Sequence, residues 1–325
     1  MGLNWAITGG LGFVGINLIL RIINSTHFKK ITVIDNESGK ADFNKKFLVE
    51  FLEQDTTLKD KIKIYNIDIS DYNKINQLLK DQDILIHLAA AAGVAESIKS
   101  PLQNFFHNVQ ATVSLLNNIR HFKNLKIIVA SSGAVLGNSK PPFNEKTAIS
   151  PISPYGASKA SIEQYCKAFS FTYGLNIICC RFSNVFGPFS THKKTVIRNM
   201  FETAINSNEI HITGSGYQTR DFLYIQDLAD AIILICLEKK IKEFDLINIS
   251  TSKETSIIEV AEKIKMKIQK NLETKIKIKY IKSLKGEVSN SFSEYKHLKK
   301  LTNWKPVTNL SEGLDTTISW FNQNL

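Results

Sequence analysis

The sequence predicts an α/β protein built on a doubly wound parallel sheet, with a smaller α/β lobe interleaved with it. Short apolar runs alternate with segments of helical length through the first half of the chain, and the runs are almost continuously apolar. Strands buried on both faces have that composition, and helices covering both faces explain the alternation. The predicted strands are residues 5–8, 31–35, 62–67, 84–88, 125–130 and 177–181.

We expect the sheet domain to comprise residues 1–181 and a returning segment at 219–251. Residues 182–218 and 252–325 lack a regular alternation of strand and helix, and carry most of the Gly, Pro and Trp residues of the second half. These two segments are expected to form the smaller lobe over the carboxyl ends of the strands. Helices are predicted in it at 195–206, 254–268 and 310–321.

Composition argues against several classes of protein. With 43% hydrophobic and 22% charged residues, the chain is in the globular range. Its longest apolar run, 231–237, is too short to span a bilayer, and no basic lead of a secretory signal precedes the first glycines. The net charge of +11 is spread without a basic block, so nucleic acid is not an expected partner. It favours anionic substrates, with genome composition as the alternative explanation.

Cysteine usage indicates a reducing compartment. Four cysteines occur, two of them adjacent, and none has the spacing of a metal-ligand set. We therefore expect a cytoplasmic protein whose cysteines are small core side chains, without a bound metal.

A glycine-rich turn follows the first predicted strand. Gly9, Gly12 and Gly15 are spaced three apart, and an apolar-periodic helix follows them. Such glycines let the chain turn tightly, let backbone amides approach a pyrophosphate, and let the helix pack closely on the strand. We expect Phe13 and Val14, at the start of that helix, to contact the phosphates of a dinucleotide.

An acidic residue ends the next predicted strand. Asp35 lies about 20 residues after the last glycine, which is the spacing of a Rossmann dinucleotide-binding fingerprint. Its carboxylate would accept hydrogen bonds from the adenosine ribose and repel a 2′-phosphate, which favours NAD over NADP. The alternative is a strand-end turn aspartate. Asp68 and Ile69 end the third strand, where we expect the adenine ring.

A phenol and an ammonium group are predicted on one helix face. Tyr155 and Lys159 lie four residues apart at the start of a predicted helix. An adjacent ammonium lowers the pKa of a phenol from about 10, which makes it a usable base near neutral pH. Ser132 follows the strand at 125–130, where its hydroxyl can bridge the phenol and a substrate hydroxyl. The alternatives are a chance pair on a helix and a serine making local turn bonds.

Together these features resemble the NAD-dependent nucleotide-sugar epimerase/dehydratase family of extended short-chain dehydrogenases/reductases. The resemblance covers essentially the whole chain, in the family's order. Its motifs are the glycine turn, Asp35-Asn36, His87-Leu88-Ala89-Ala90, Ser131-Ser132, residues 155–159, RFSNVFGP at 181–188, QTRDFLYIQD at 218–227, and Trp304-Lys305-Pro306. The resemblance implies that Ser132, Tyr155 and Lys159 are catalytic and that Lys159 also holds the nicotinamide ribose. It implies cofactor contacts at Asn36, Leu88, Ala89, Ala90, Asn108 and Tyr155, and substrate contacts at Ser132, Asn184 and Arg220.

The resemblance also narrows the reaction. Family dehydratases carry Asp-Glu directly after the catalytic Ser or Thr, and decarboxylases carry Glu one position further on, whereas this chain has Gly133 and Ala134. Without a carboxylate there is no evident group to expel water or assist loss of carbon dioxide. The remaining chemistry is a 4-epimerisation through a 4-keto sugar, with a retained NAD. The alternatives are a nucleotide-sugar reductase or dehydrogenase, and a catalytically silent NAD-binding protein.

The substrate is left open between a UDP-hexose and a UDP-N-acetylhexosamine. UDP-sugar epimerases of the family carry Arg-x-Gly-Asp near the end, and this chain has LKGE at 284–287. Lys285, or the basic stretch at 192–194, is the candidate for the missing charge, although lysine lacks the planar fork of arginine. Glu287 replaces the aspartate that binds the nucleotide ribose. Ser291 stands at the family's gate position, where a small side chain leaves room for an N-acetyl group.

The resemblance finally implies a homodimer. Members of the family commonly pair through two helices that form a four-helix bundle. The candidates here are the helices near 101–122 and 158–173.

Overall fold

The computed structural model describes residues 2–39, 41–193, 195–241, 243–272, 275–282 and 288–324. The strands are β1 (Leu3–Thr8), β2 (Phe28–Asp35), β3 (Ile62–Asn66), β4 (Ile84–His87), β5 (Lys126–Ser132), β6 (Asn176–Phe182), β7 (Asn184–Phe186), β8 (Glu209–Thr213), β9 (Thr219–Arg220), β10 (Phe222–Tyr224), β11 (Asp245–Ile249), β12 (Thr255–Ser256), β13 (Lys277–Ile281) and β14 (Asn290–Ser291).

The helices alternate with these strands. They are α1 (Phe13–Ile23), α2 (Asp42–Gln54), α3 (Thr56–Lys61), α4 (Tyr72–Leu79), α5 (Val94–Lys99), α6 (Pro101–Phe105), α7 (Ala111–Ile119), α8 (Pro154–Tyr173), α9 (Val196–Ser207), α10 (Ile225–Leu237), α11 (Ile257–Leu272), α12 (Lys296–Thr302) and α13 (Leu310–Asn324). A π-helical turn (Phe106–Gln110) joins α6 to α7, and a short 3₁₀ helix (Gly133–Val135) follows β5. Within the described ranges, no helix combines the length and apolarity needed to cross a membrane.

Seven parallel strands form the central sheet, in the order β11-β6-β5-β4-β1-β2-β3. The chain moves outward from β1 in one direction and then, after β3, in the other. A crevice therefore opens at the carboxyl ends of the strands between β1 and β4, where α/β sheets of this kind bind ligands. The predicted doubly wound fold is confirmed.

Both faces of the sheet are buried, because successive strand side chains point to opposite sides. Trp5 and Ile7 belong to one hydrophobic cluster, whereas Ala6 between them belongs to the other. Helices α1 and α10 cover the first face, and α4, α7 and α8 cover the second. This arrangement explains why the strands are almost continuously apolar in the sequence.

The second half of the chain also builds three small sheets. Strand β10 pairs with β7, β13 pairs with β8, and β9 lies between β12 and β14. Helix α9 packs on β8, and α11 packs on both α9 and α13. Phe201 of α9 and Phe321 of α13 have ring centroids 4.7 Å apart.

Two parts of the sheet domain differ from the prediction in detail. Strand β11 is not predicted from the sequence, because Asp245 and Asn248 interrupt its apolar residues and leave no continuous apolar run. The helix expected near 101–122 is divided by the π-helical turn at Phe106–Gln110. Such turns are frequent at functional sites.

Candidate active site

The turn after β1 packs against the loop after β4. Gly9 has a φ of +67°, and a Cβ built on it would lie 2.6 Å from the Ala89 amide nitrogen. Gly15 is equally confined, since its Cβ would lie 2.5 Å from the Gly10 Cα. Any side chain at Gly9 or Gly15 would collide with the backbone. These glycines therefore allow a tight turn of four residues between β1 and α1.

The N-terminus of α1 borders a cradle. Gly12 precedes the first helical residue, Phe13, and has no side chain that could cap the helix. Apart from its chain neighbours, a Cβ on Gly12 would meet only the Gly9 carbonyl oxygen, at 3.1 Å. The amides of Phe13 and Val14 belong to the first turn, whose N–H groups lack intrahelical acceptors. A phosphate group placed in the cradle would accept hydrogen bonds from such amides.

Asp35 is the last residue of β2 and links that strand to the glycine turn. Its Oδ2 accepts a hydrogen bond from the Leu11 amide at 3.1 Å, and its Oδ1 accepts one from the Glu37 amide at 2.8 Å. Burial raises the pKa of Asp35, although these two bonds oppose the shift. Each carboxylate oxygen has further acceptor capacity. Asp35 therefore makes the local hydrogen bonds expected of an aspartate in a strand-end turn. It can still accept hydrogen bonds from ribose hydroxyls.

Asn36 and Asp68 bridge the ends of β2 and β3. The Asn36 amide donates to Asp68 Oδ2 at 2.8 Å, and Asp68 Oδ1 accepts from the Ser70 amide at 2.9 Å. Burial disfavours the ionised Asp68, but the hydrogen bonds from Ser70 and Asn36 outweigh it and lower the pKa of Asp68. Ile69, which lies between Asp68 and Ser70 in the sequence, is buried. These residues form one end of the cleft.

The loop after β4 is fixed from behind by Asn108. This loop contains Leu88, Ala89 and Ala90. Asn108 is fully buried in the π-helical turn; its Oδ1 accepts from the Ala91 amide at 2.7 Å, and its Nδ2 donates to Ser158 Oγ at 3.0 Å. In the structure, Asn108 therefore positions the loop against α8. The resemblance instead implies that Asn108 contacts the cofactor directly.

Helix α8 brings Tyr155 and Lys159 to the end of β5. The helix begins at Pro154, and Ser153 caps it, because its Oγ accepts a hydrogen bond from the Gly156 amide at 3.1 Å. Proline at the first helical position and serine before it are favourable choices for a helix start. The four-residue spacing then places the phenol and the ammonium group on the same face.

Ser132, Tyr155 and Lys159 lie together at the carboxyl end of β5. The Tyr155 phenol is hydrogen-bonded to the Ser132 hydroxyl. Lys159 Nζ donates to the Ala130 carbonyl oxygen at 2.9 Å, and the Tyr155 amide donates to Ser97 Oγ at 3.0 Å. Ser132 is thus the last residue of a strand and contacts the first turn of α8.

Burial dominates the electrostatics of this group. Lys159 is 4% exposed, and burial, followed by the charge of Lys193, lowers its pKa to about 8. Burial also raises the pKa of Tyr155, and the hydrogen bond from Ser132 only partly offsets it. The sequence-based expectation that Lys159 lowers the pKa of the phenol is wrong for this structure. The reason is that burial of the phenol outweighs the effects that would lower its pKa.

A second ammonium group enters the cleft from the segment after β7. Lys193 Nζ lies 5.8 Å from the centroid of the Phe13 ring, and burial lowers the pKa of Lys193. The positive charge of Lys193 also lowers the pKa of Lys159. Two neighbouring ammonium groups favour an anion beside them. Of the basic stretch expected to supply charge, Lys193 is in the cleft, whereas Lys194 is outside the described residues.

The expected substrate residues come from two small sheets. Asn184 is exposed at the start of β7. Arg220 of β9 pairs in register with Ser291 of β14, and its Nη1 donates to the carbonyl oxygen of the preceding residue at 2.7 Å. Arg220 and Ser291 are therefore neighbours, as a substrate-binding role requires. Lys285 and Glu287 lie outside the described residues.

No role is predicted from the sequence for Asp221, which joins separate segments beside Arg220. Its carboxylate accepts hydrogen bonds from the Thr251 hydroxyl at 2.7 Å and the Ser252 amide at 3.0 Å. Burial raises its pKa to about 6 although these bonds lower it. The one feature of the sequence that could have drawn attention to Asp221 is that a charged residue directly precedes the apolar residues 222–225. Its partners are remote in the chain, so only the tertiary structure identifies them.

Metal-ligating side chains and cysteines are the remaining groups that could carry chemistry. Within the ranges that the structure describes, no three His, Cys, Asp or Glu side chains cluster as a metal ion would require. The four cysteines are buried and unpaired.

Comparison with known proteins points to nucleotide-sugar chemistry. The family described as GDP-mannose 4,6 dehydratase matches residues 6–317. A UDP-glucuronate 4-epimerase of Thermodesulfobacterium geofontis is 29% identical over 99% of this chain and 97% of its own length. The structure of a UDP-glucuronic acid 4-epimerase from Bacillus cereus, in complex with UDP-glucuronic acid and NAD, is 25% identical with a TM-score of 0.88, and 99% of each chain is covered. A UDP-N-acetylglucosamine 4-epimerase from Methanobrevibacter ruminantium M1, in complex with UDP-N-acetylmuramic acid, is 31% identical with a TM-score of 0.86, covering 100% of this chain and 99% of that one.

Proposed function

We propose, because the chain belongs to the GDP-mannose 4,6 dehydratase family, that it is an NAD-dependent enzyme that epimerises a nucleotide sugar at C4. The relatives described above are 4-epimerases of UDP-sugars, and one of the two solved structures contains NAD. Their similarity extends over essentially the whole chain, which supports a shared cofactor and reaction class.

The residues of the cleft fit NAD. The cradle at Gly12 suits a diphosphate on the N-terminus of α1, because a side chain there would fill it. Asp35 can accept the adenosine ribose hydroxyls, and Asn36, Asp68 and Ile69 border the adenine end. The loop at 88–90 would hold the dinucleotide backbone, and Lys159 would hold the nicotinamide ribose. When bound, NAD supplies an acceptor for the hydride of a sugar carbon and returns it later.

The chain's own residues handle the proton and the orientation of the sugar. Tyr155 takes the proton of the C4 hydroxyl and gives it back after the 4-keto sugar has rotated. Ser132 hydrogen-bonds to the phenol and can orient the same hydroxyl. Lys159 uses one donor on the Ala130 carbonyl and has two more for the ribose and the phenolate. Burial of Lys159 strengthens its interactions, since water screens them little.

One observation favours epimerisation over the other reactions of the scaffold. Ser132 is followed by Gly133 and Ala134, which form a 3₁₀ turn without carboxylates. Expelling water from the sugar requires an acid and a base at the reacting carbons, and these positions supply neither. The 4-keto sugar can then only be reduced again, on the same or on the opposite face.

We propose a UDP-hexose or a UDP-N-acetylhexosamine as the substrate. Arg220 and Lys193 supply positive charge for the diphosphate, and Asn184 contacts the nucleotide sugar. Ser291, beside Arg220 on the neighbouring strand, is small enough to admit an N-acetyl group. The similar enzymes that act on UDP-glucuronic acid and UDP-N-acetylglucosamine support the nucleotide.

A product survey tests this proposal. The purified protein is incubated with UDP-, GDP-, CDP- and dTDP-sugars, and NMR identifies the products. We expect one UDP-sugar to reach an equilibrium mixture of its C4 epimers without added cofactor. A reductase or dehydrogenase would instead require added NADH or NAD in stoichiometric amounts, and a silent binding protein would give no product.

The domain division and the compartment are parts of the same proposal. Strand β11, from the returning segment 219–251, completes the central sheet, which supports a cofactor domain of residues 1–181 plus that segment. Residues 182–218 and 252–325 would then form the substrate lobe. Four buried, unpaired cysteines support a reducing compartment such as the cytoplasm.

We also propose that two copies pair through α6, the π-helical turn and α8. These elements expose large apolar side chains to solvent: Leu102, Phe105, Phe106, Tyr165 and Phe171. Leu102 and Phe171 are 71% and 66% exposed. An apolar surface of this kind is typical of a protein–protein interface. Two helices from each copy would bury it in a four-helix bundle.

Leu102→Glu is expected to weaken the dimer. A carboxylate buried in an apolar interface costs several kcal/mol, so the dissociation constant should rise by about 100-fold or more. Light scattering after size exclusion measures the effect as a shift towards the 36.6 kDa monomer. Met266→Glu on α11 is the control, because Met266 is similarly exposed, at 62%, outside the proposed interface. A wild-type chain that is monomeric at all concentrations would contradict the proposed dimer.

A further inference from the structure

A buried ion pair lies directly behind Ser132, Tyr155 and Lys159. Glu163 of α8 and Arg181 of β6 are 1% and 3% exposed. Arg181 Nε donates to Glu163 Oε1 at 2.8 Å, and Arg181 Nη2 donates to Glu163 Oε2 at 2.7 Å. The pair is therefore bidentate and excluded from water.

Stability alone does not account for this pair. Removing two charges from water is costly, and apolar replacements of such pairs are often neutral or stabilising. In the described part of the chain, Arg181 Nη1 is also buried without a hydrogen-bond acceptor, which adds to the cost. A pair that is expensive to bury is better explained by what it holds in place.

The pair holds the strand end that carries Ser132. Ser131 Oγ donates to Glu163 Oε1 at 2.6 Å, and Ser131 lies opposite Arg181 in the register of β5 and β6. Ser131 is itself buried and directly precedes Ser132. Any shift of the Glu163 carboxylate would therefore move the strand residue next to the reacting group.

Three consecutive residues of β5 are joined to one face of α8. The Ala130 carbonyl accepts from Lys159, the Ser131 hydroxyl donates to Glu163, and the Ser132 hydroxyl is hydrogen-bonded to Tyr155. On the helix, the partners are residues 155, 159 and 163, each one turn from the next. The Glu163 contact is the deepest of the three, and Arg181 fixes it from the neighbouring strand.

We propose that Glu163 and Arg181 are positioning residues for the proposed epimerisation: their ion pair fixes α8 against the ends of β5 and β6, so that Ser132, Tyr155 and Lys159 meet, and Glu163 places a negative charge near Lys159. This inference rests on the proposed function for its kinetic test. Its electrostatic part can be tested on the protein without substrate.

Several charged or titratable groups act on Lys159. Burial is the largest influence and, with the charge of Lys193, lowers the pKa of Lys159. Glu163 and the thiols of Cys166 and Cys179 raise it. Lys159 in turn lowers the pKa of the buried His87, after the larger effect of burial. Since a lysine loses its charge above its pKa, removing the charge of Glu163 should move this loss to lower pH.

Glu163→Gln tests the charge with little change of shape. We expect kcat to fall by about 100-fold, because a shift of about 1 Å in the reacting groups has that effect. KM should change little, since no substrate contact is altered, and the alkaline limb of the pH–kcat profile should move to lower pH. Glu163→Asp keeps the charge, so this limb should stay at the wild-type pH while kcat is partly recovered.

The double variant Glu163→Leu/Arg181→Met separates positioning from stability. It should unfold at or near the wild-type temperature, because no buried charge is left unpaired, yet its kcat should be as low as that of Glu163→Gln. The control is Arg21→Gln/Asp230→Asn, which removes another bidentate ion pair, with distances of 2.5 and 3.0 Å, between α1 and α10. Its kcat should equal that of the wild type.

NMR titration of the lysine ¹⁵Nζ signals gives a readout that needs no turnover. The Lys159 signal is identified by its loss in Lys159→Met. We expect a pKa of about 8 in the wild type, a lower pKa in Glu163→Gln and an unchanged one in the control. A folded double variant with wild-type kcat, or an unaltered Lys159 pKa in Glu163→Gln, would overturn the inference. An inactive wild type with the expected Lys159 titrations would overturn only the proposed function.

Discussion

Tyr155→Phe leaves the fold and the bound NAD intact and lowers kcat by about 10²- to 10⁴-fold, the range that a positioned acid or base contributes. The substitution removes one oxygen and keeps the ring. Ser132 loses its partner, but the contacts of Lys159 with the Ala130 carbonyl and of the Tyr155 amide with Ser97 remain. Kinetics with the substrate identified by the product survey measures the loss, and absorbance after denaturation measures the NAD content.

Tyr165→Phe is the matched control for this variant. Tyr165 lies on the same helix, but its side chain belongs to the surface proposed for the dimer and not to the cleft, so loss of its hydroxyl should leave kcat unchanged. If Tyr155→Phe turned over at the wild-type rate, Tyr155 would not be the base. If Tyr155→Phe lost its NAD, the contact of the phenol with the cofactor would be needed for binding, which contradicts the expected retention of NAD.

Lys159→Met has the second large effect, and it acts on both turnover and cofactor. The variant removes the hydrogen-bond donors that Lys159 would offer to the nicotinamide ribose and to the phenolate. We expect kcat to fall by about 10²- to 10⁴-fold and the purified protein to retain less NAD than the wild type. Measuring NAD content and kcat on the same preparation shows both changes.

The same variant should be as stable as the wild type or more so. Burial lowers the pKa of Lys159 from 10.5 to about 8, which costs about 3 kcal/mol of folding stability at pH 7. This cost is fully present below pH 8 and disappears as the pH rises towards 10.5. Methionine removes it and forfeits one hydrogen bond to a charged group, worth about 1.5 to 3 kcal/mol. Thermal unfolding at pH 7 measures the balance.

Lys126→Met is the control for Lys159→Met. Lys126 Nζ also donates to backbone carbonyl oxygens, those of Ile235 at 2.9 Å and Cys236 at 3.0 Å, and burial lowers its pKa. It lies at the opposite end of β5 from Ser132. Its variant should keep both kcat and NAD. Wild-type kcat in Lys159→Met would contradict the assigned role.

Local patterns predicted the sheet and the principal side chains of the cleft. Strands β1 to β6 each contain a short, mainly apolar run, and the glycine spacing marks the start of α1, so neighbouring residues alone identify them. Tyr155 and Lys159 are four residues apart, so the helix period alone puts them on one face. The sequence prediction of these elements needed no knowledge of distant contacts.

Features that depend on distant segments were not predictable in this way. Asp221 is bonded to Thr251 and Ser252, and Lys193 reaches the ring of Phe13, 180 residues away in the sequence. The sequence places Lys159 near Tyr155, but it does not show that the ammonium group donates to the Ala130 carbonyl. The predicted lowering of the phenol pKa was wrong because burial of the phenol raises that pKa. Burial and hydrogen-bond direction are tertiary properties.

In the proposed epimerisation, the hydrogen of C4 leaves the sugar and returns to the same carbon with the opposite configuration. A UDP-sugar deuterated at C4, chosen from the product survey, tests this directly by NMR in ordinary water. We expect the epimer to keep its deuterium at C4, without accumulation of free NADH. Protium at C4 of the product, or net formation of reduced cofactor, would contradict the account.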